Sequence, residues 1–228
     1  MLDTNQTNTM QAYLNNPTLK AQLIEQITAH RVADHLVRGT YNAERNGHFV
    51  GCAVGCSIET LNRLTGSSYE HSDHSCYEPG FGVPQVLARL QDSLFEWLPA
   101  GEHLNWPLAF WSAVPVGADL RMVWPQFAHW LLVDPTNGVI RFAKTERVKK
   151  SIEGVATLYA RWNAGEKPAV SEWSAAYDAA YAADTYAAAA YADAAADTYA
   201  RRKQAAKLLE LIAAAPQAEN SQTTNEQP

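Results

Sequence analysis

Cysteine is scarce: three residues in 228, with no C-x-x-C pair among them. Without a secretion signal, so few thiols point to free cysteines in a reducing cytoplasm and not to a disulfide framework. The stretch Met1 to Asn16 is polar and lacks the charged-then-apolar order of a signal peptide. No apolar run approaches the roughly 20 residues needed to cross a bilayer, so no membrane partner is expected. Positive charge is in deficit, with 18 Lys and Arg against 24 Asp and Glu and a formal charge of −6. That balance argues against general nucleic-acid binding. Also missing are the P-loop, the dinucleotide glycine fingerprint, H-E-x-x-H and G-x-S-x-G. With them go the usual phosphate-transfer, hydride-transfer and esterase readings.

Glycine and proline are absent from Ala175 to Ala200, where alanine fills more than half the positions. Alanine loses no side-chain entropy in a helix, so Trp173 to Ile212 reads as one long helix. Forty residues would make a rod of about 60 Å, long for a domain whose radius of gyration would be about 17 Å. Trp173, Tyr177, Tyr181, Tyr191, Tyr199 and Arg202 fall on one face by steps of three or four, and Tyr186 points elsewhere. Arg201, Arg202, Lys203 and Lys207 form a basic band where the helix dipole favours cations. Pro216 ends the helix, and residues 216–228 read as a disordered tail.

The remainder reads as all-α: a flexible N-terminus (1–16), a compact helical body (17–143) and a helical hairpin (144–215) whose second arm is the long Ala/Tyr-rich helix. Asn16-Pro17 opens a helix expected to run to residue 38. Arg31, His35 and Arg38 on its second half could face an anion. Residues 40–47 read as loop. A helix over 50–64 then carries Gly51, Cys52, Gly55 and Cys56, with the glycines one turn apart so that another backbone can approach closely. The loop 66–82 is the most polar part of the body, with Asp73, His74 and Glu78 among its titratable groups. Further helices are expected over 84–98, 105–113, 119–133 (with Pro125 inside) and 145–162, and residues 139–142 could form a short strand. The 18-residue first arm of the hairpin is too short to cover Leu208, Leu209, Leu211 and Ile212. Either the body or a second protomer must do so, and the mismatch favours a homo-oligomer.

Three kinds of chemistry are open. Cys52, Cys56, His71, His74 and Cys76 are zinc-ligand types, but their spacing is not that of a compact knuckle, and no metal or cofactor is expected. Cys52 or Cys56 near a helix start, where thiolates are stabilised, could act with His129 and Asp134 in a cysteine hydrolase. The string from His129 to Pro135 resembles the His-to-Asp segment of transglutaminase-like cysteine enzymes, although that family places these residues on strands and this context reads as helical. The third reading is a non-enzymatic pocket for a small molecule. Its residues would be Arg31, His35, His48, Cys52, Cys56, Asp73, His74, Glu78, Asp119, Arg121 and Trp124.

The strings His30-Arg31-x-Ala33-Asp34, Gly51 to Cys56, Asp73-His74-x-x-Tyr77-Glu78, Leu87 to Leu90 and Pro115 to Leu120 together resemble a family of uncharacterised phage and bacterial proteins. The Ala-rich end resembles immunity-protein-like (Imm-5-like) helical domains. Neither resemblance carries catalytic residues. The first implies a protein of the host-cell cytoplasm that sequesters a nucleotide-derived immune signal. The second implies a module that binds a protein partner through the long helix.

Overall fold

The computed structural model describes residues 10–183 and 198–219. The central Ala-rich segment 184–197 lies outside them, and so do the side chains of Tyr177, Tyr181, Tyr186 and Tyr191. The fold is mostly α-helical, as the sequence predicts, with one small addition. In order come α1 (Pro17–Val32), strands β1 (Ala43–Arg45) and β2 (His48–Val50), α2 (Ala53–Thr65) and α3 (Tyr77–Phe81). After these run α4 (Gln85–Trp97), α5 (Trp106–Ala113), α6 (Val123–Val133), α7 (Glu146–Asn163), α8 (Val170–Ala183) and α9 (Thr198–Ala213).

Helix α1 starts where Asn16 accepts from the N–H groups of Thr18 at 2.9 Å and Leu19 at 3.3 Å, with Pro17 at the first helical position. It buries Leu19, Leu23 and Ile27. The expected extension to residue 38 does not form. Asp34 adopts a left-handed backbone, and residues 35–37 turn to run beside Gly51, with Gly51 N–H on His35 O and Val37 N–H on Gly51 O, both 2.9 Å.

The segment read as loop contains an antiparallel hairpin in which Ala43 faces Val50 and Arg45 faces His48. Asn46 and Gly47 both take positive φ, the backbone that a two-residue turn needs to match strand twist. Because Val50 belongs to β2, α2 begins at Ala53 and not at 50. Pro125 produces no break: α6 starts at Val123, so its missing N–H falls in the first turn, where donors are unpaired anyway. Residues 139–142 form a 3₁₀ turn, not a strand.

One core joins α1 to α6 and α9. Tyr13, Tyr77, Phe81, Phe95, Phe110 and Trp111 are fully buried. Polar groups pair inside it: the Trp111 indole donates to Ser57 Oγ at 2.9 Å, and Tyr77 OH donates to Gln91 Oε1 at 2.7 Å, while Gln91 Nε2 is buried without a partner among the described residues. Tyr13 OH donates to the Trp111 carbonyl. The N-terminal stretch is therefore not flexible throughout, since Ala12 and Tyr13 are core residues. Nor does the tail hang free from residue 216: Asp119 N–H donates to Pro216 O at 2.8 Å, and Ala218 N–H to Gly117 O at 2.9 Å.

Helices α7 and α8 form the expected hairpin. Trp173 packs on Tyr159 with ring centroids 4.8 Å apart, and Arg161 pairs with Glu166 and Glu172. Helix α9 packs on α4, α5 and α6, and buries Ala205, Leu208 and Ile212 completely or nearly so. The partner for this face is thus the body of the same chain, and the reason for expecting a second protomer falls away. No helix among the described residues is long and apolar enough to cross a membrane.

Candidate functional site

The first turn of α2 is built around two close approaches. A β-carbon on Gly55 would lie 2.0 Å from the Tyr41 carbonyl oxygen, and one on Gly51 2.6 Å from it. The glycine pair therefore admits a backbone, as its spacing predicts, and that backbone is the segment leading into β1. Cys52 N–H donates to Thr40 O at 2.7 Å and holds the segment in place. Helix α4 grips the same segment from the other side. Glu96 accepts Gly39 N–H through both oxygens, at 3.1 and 3.2 Å. The Arg38 guanidinium donates to the carbonyls of Phe95 and Leu98, so Arg38 caps α4 and does not serve the anion patch expected of it.

Asp92, one turn before Glu96, is the hub. Its Oδ1 lies 3.2 Å from Cys52 Sγ. Its Oδ2 accepts Tyr41 OH at 2.7 Å and lies 3.3 Å from His74 Nε2. Burial alone would raise the Asp92 carboxyl, but the hydrogen bonds from His74, Tyr41 and Cys52 outweigh it and hold it below the ordinary carboxylate value. Cys52 caps α2, its sulfur 3.5 Å from Gly55 N, yet burial and then the Asp92 charge push its thiol up to about 12. The expected thiolate at a helix start is not there, because desolvation and a facing carboxylate outweigh the terminal N–H groups. Burial raises Cys56 as well; its sulfur rests on the Gly51 and His35 carbonyls at 3.4 and 3.8 Å.

Beside this hub runs a ladder of rings. His48 stacks on His35 (centroids 5.8 Å, 24°), which meets His30 at 5.7 Å. His30 meets Phe49 at 6.0 Å, and Phe49 stacks on His71 at 5.0 Å and 30°. His71 Nε2 in turn lies 2.9 Å from Glu59. His48 is exposed, His35, Phe49 and His71 are half-buried, and His30 is 6% exposed. Burial, then the charges of His35 and Arg63, lower His30 to about 4 against the opposing pull of Glu59.

The structure therefore brings together two sets of the predicted residues: Cys52 and His74 on Asp92, and His35 with His48 in the ladder. Cys56 touches both regions. Arg31 stands exposed beside His30 at the end of α1. The other predicted residues are engaged locally. Asp73 caps Ser75, Glu78 accepts Gln85 N–H, and Asp119 pairs with Arg121 at 2.5 Å. Trp124 packs edge-on against Tyr159. Asp134, the proposed orienting acid, accepts from Thr136 and Asn137 N–H, so it closes a turn. The five zinc-ligand types noted in the sequence, Cys52, Cys56, His71, His74 and Cys76, are not gathered into one group. Among the described residues, the group whose ligand atoms converge is Cys52, Asp92 and Glu96. The last two, with Tyr41, His30 and Phe49, escaped the sequence reading. A usable signal was present: Asp92 and Glu96 share one face of α4 at i,i+4.

Three comparisons with known proteins find no matching family, curated protein or solved structure.

Proposed function

We propose that the protein binds a small planar anion of the nucleotide-derived class without converting it, and that the ring ladder is the seat. The observation that carries this reading is the stacked pair His35–His48 at an exposed edge. Imidazole faces stack on a planar base, and their N–H groups donate to oxyanions. Arg45 is the cross-strand partner of His48, so its cation stands beside the exposed end of the ladder, where a phosphate would lie. Binding without turnover is favoured by the neighbouring thiol: Cys52, pushed up to about 12, is not a thiolate at neutral pH. The resemblance to phage proteins is the ground for choosing a host immune signal, sequestered in the host-cell cytoplasm, as the ligand class to test. The alternative of an immunity-type module acting through the long helix has less support, because the apolar face of α9 is occupied by the body.

Calorimetric titration with cyclic nucleotides and cyclic ADP-ribose isomers tests the proposal. Saturable heat that is lost in His48→Ala and Arg45→Ala, with the ligand recovered unchanged, supports it. No heat across the panel rejects the ligand class, and recovery of an altered ligand rejects the non-enzymatic reading.

A further inference from the structure

Two imidazoles that stack on each other with no hydrogen-bond partner take their charge from whatever approaches them. His35 and His48 are such a pair, with centroids 5.8 Å apart and 24° between the planes. Among the described residues, no protein group pairs with the imidazole nitrogens of either. The other rings on this side are engaged: His71 lies against Glu59, and His74 lies between Asp92 and the Ser72 carbonyl. A buried orphan adjoins the pair. His30, 6% exposed, has an Nδ1 without a partner, and its ring meets His35 at 5.7 Å.

The groups around the pair supply no fixed counter-ion. From α1, His30 stays uncharged, lowered to about 4 by burial and then by the charges of His35 and Arg63, against the pull of Glu59. From α2, Glu59 is taken by His71, and burial keeps the Cys56 thiol, which rests on the His35 carbonyl, in its neutral form. From β1, Arg45 stands opposite His48, while Glu44 stands opposite Phe49 and so points to the other face of the hairpin. Asp34 precedes His35, is exposed, and forms no ion pair among the described residues. A proton on His35 therefore faces a proton on His48 across stacked rings, with Arg45 alongside, and each opposes the other. An oxyanion removes that opposition, because it accepts charge-assisted hydrogen bonds from both rings and from the guanidinium.

We propose that anion capture at the ladder is proton-linked: protonated His35 and His48 hold the ligand, and the site fills as pH falls and empties as pH rises. This rests on the reading of the ladder as the ligand seat and adds the condition under which the seat works. Imidazole is the side chain whose ordinary charge change falls between about pH 5 and 8. The sign follows from linkage. Protons taken up on binding make affinity rise as pH falls, by at most roughly tenfold per pH unit for each proton. His30 stays neutral over that range and acts as a positioning residue that packs against His35.

The probe must not titrate itself. Sulfate and cyclic nucleotide monophosphates both keep a fixed charge from about pH 6 to 8. Calorimetry of the full chain with each probe, at pH 6, 7 and 8 and in two buffers of different ionisation heat, reads affinity and proton uptake together. Affinity should fall about 10-fold or more from pH 6 to pH 8, with net proton uptake on binding. His35→Gln and His48→Gln keep a donor without the charge, and each should remove much of the pH dependence. His129→Gln, on α6, should leave it unchanged. Circular dichroism checks each fold, and the wild-type buffer comparison decides alone if a variant fails to fold. Nucleotide binding that is equal at pH 6 and pH 8, or that takes up no proton, overturns the proton link and leaves the nucleotide seat standing. Sulfate bound with proton uptake, but no nucleotide, supports the link and rejects the nucleotide class. No binding of either probe at pH 6 overturns both.

Discussion

The carbonyl oxygen of Tyr41 occupies the space that a side chain on Gly55 would need, 2.0 Å from the position of its β-carbon. The contact is backbone to helix, so no rotamer change relieves it. Gly55→Ala should therefore destabilise the fold by about 2–3 kcal/mol, at the upper end of overpacking costs. Gly51→Ala, with its β-carbon 2.6 Å from the same oxygen, should cost less. Urea unfolding with an unchanged m-value reads both. Gly55→Ala within 0.5 kcal/mol of wild type would show that the segment yields freely.

Acid should weaken the fold through His30. Its folded-state value of about 4 lies below the ordinary 6.5. Between these values the unfolded chain binds a proton that the folded chain refuses, so stability falls as pH drops from 6.5 towards 4. Above 6.5 the contribution is complete, and below 4 the loss levels off. The expected loss over that span is about 3 kcal/mol, and His30→Leu should flatten that part of the profile. Chemical denaturation at pH 7 and pH 4.5 for both chains decides it; equal slopes for the two would clear His30 of the role.

Leu208 is fully buried where α9 crosses the body. Leu208→Ala should cost about 2–4 kcal/mol. Because the covering surface belongs to the same chain, the loss should not depend on protein concentration. A melting temperature that rises with concentration in the wild type would return the covering role to a second protomer.

Residues 216–218 are tied to 117–119 by peptide groups alone. Ala218→Pro removes the N–H that reaches Gly117 O at 2.9 Å. It should cost about 1–2 kcal/mol and speed hydrogen exchange at the neighbouring Asp119 amide. Unaltered exchange at Asp119 would show that the pairing is incidental.

What could be read in advance follows the range of the forces involved. The starts of α1 and α7 were legible because Asn16 and Thr145 cap their own helices within three residues. The hairpin was signalled by Asn46-Gly47 but obscured by its three-residue strands, which carry little periodicity. The end of α1 was misplaced because residues 35–37 are claimed by Gly51, a contact that no local pattern records. The site was half legible for the same reason. Cys52 and His74 stand out as reactive types, while nothing local singles out Asp92. What makes it central is its meeting with Tyr41 and Cys52, 51 and 40 residues away. Arg38 misled in the opposite sense: its charge suggested a ligand, and it is spent on the end of α4.

The clasp at Gly117 has a mechanical consequence. Its N–H reaches Ala12 O at 2.8 Å while its carbonyl receives Ala218 N–H, so residues 12 and 218 meet across a single residue and the chain between them closes as a ring. Tension applied at those two points would load this clasp before it loads the aromatic core. The first event under force should be the opening of a few peptide hydrogen bonds, with the ring ladder and the Asp92 hub still intact behind it.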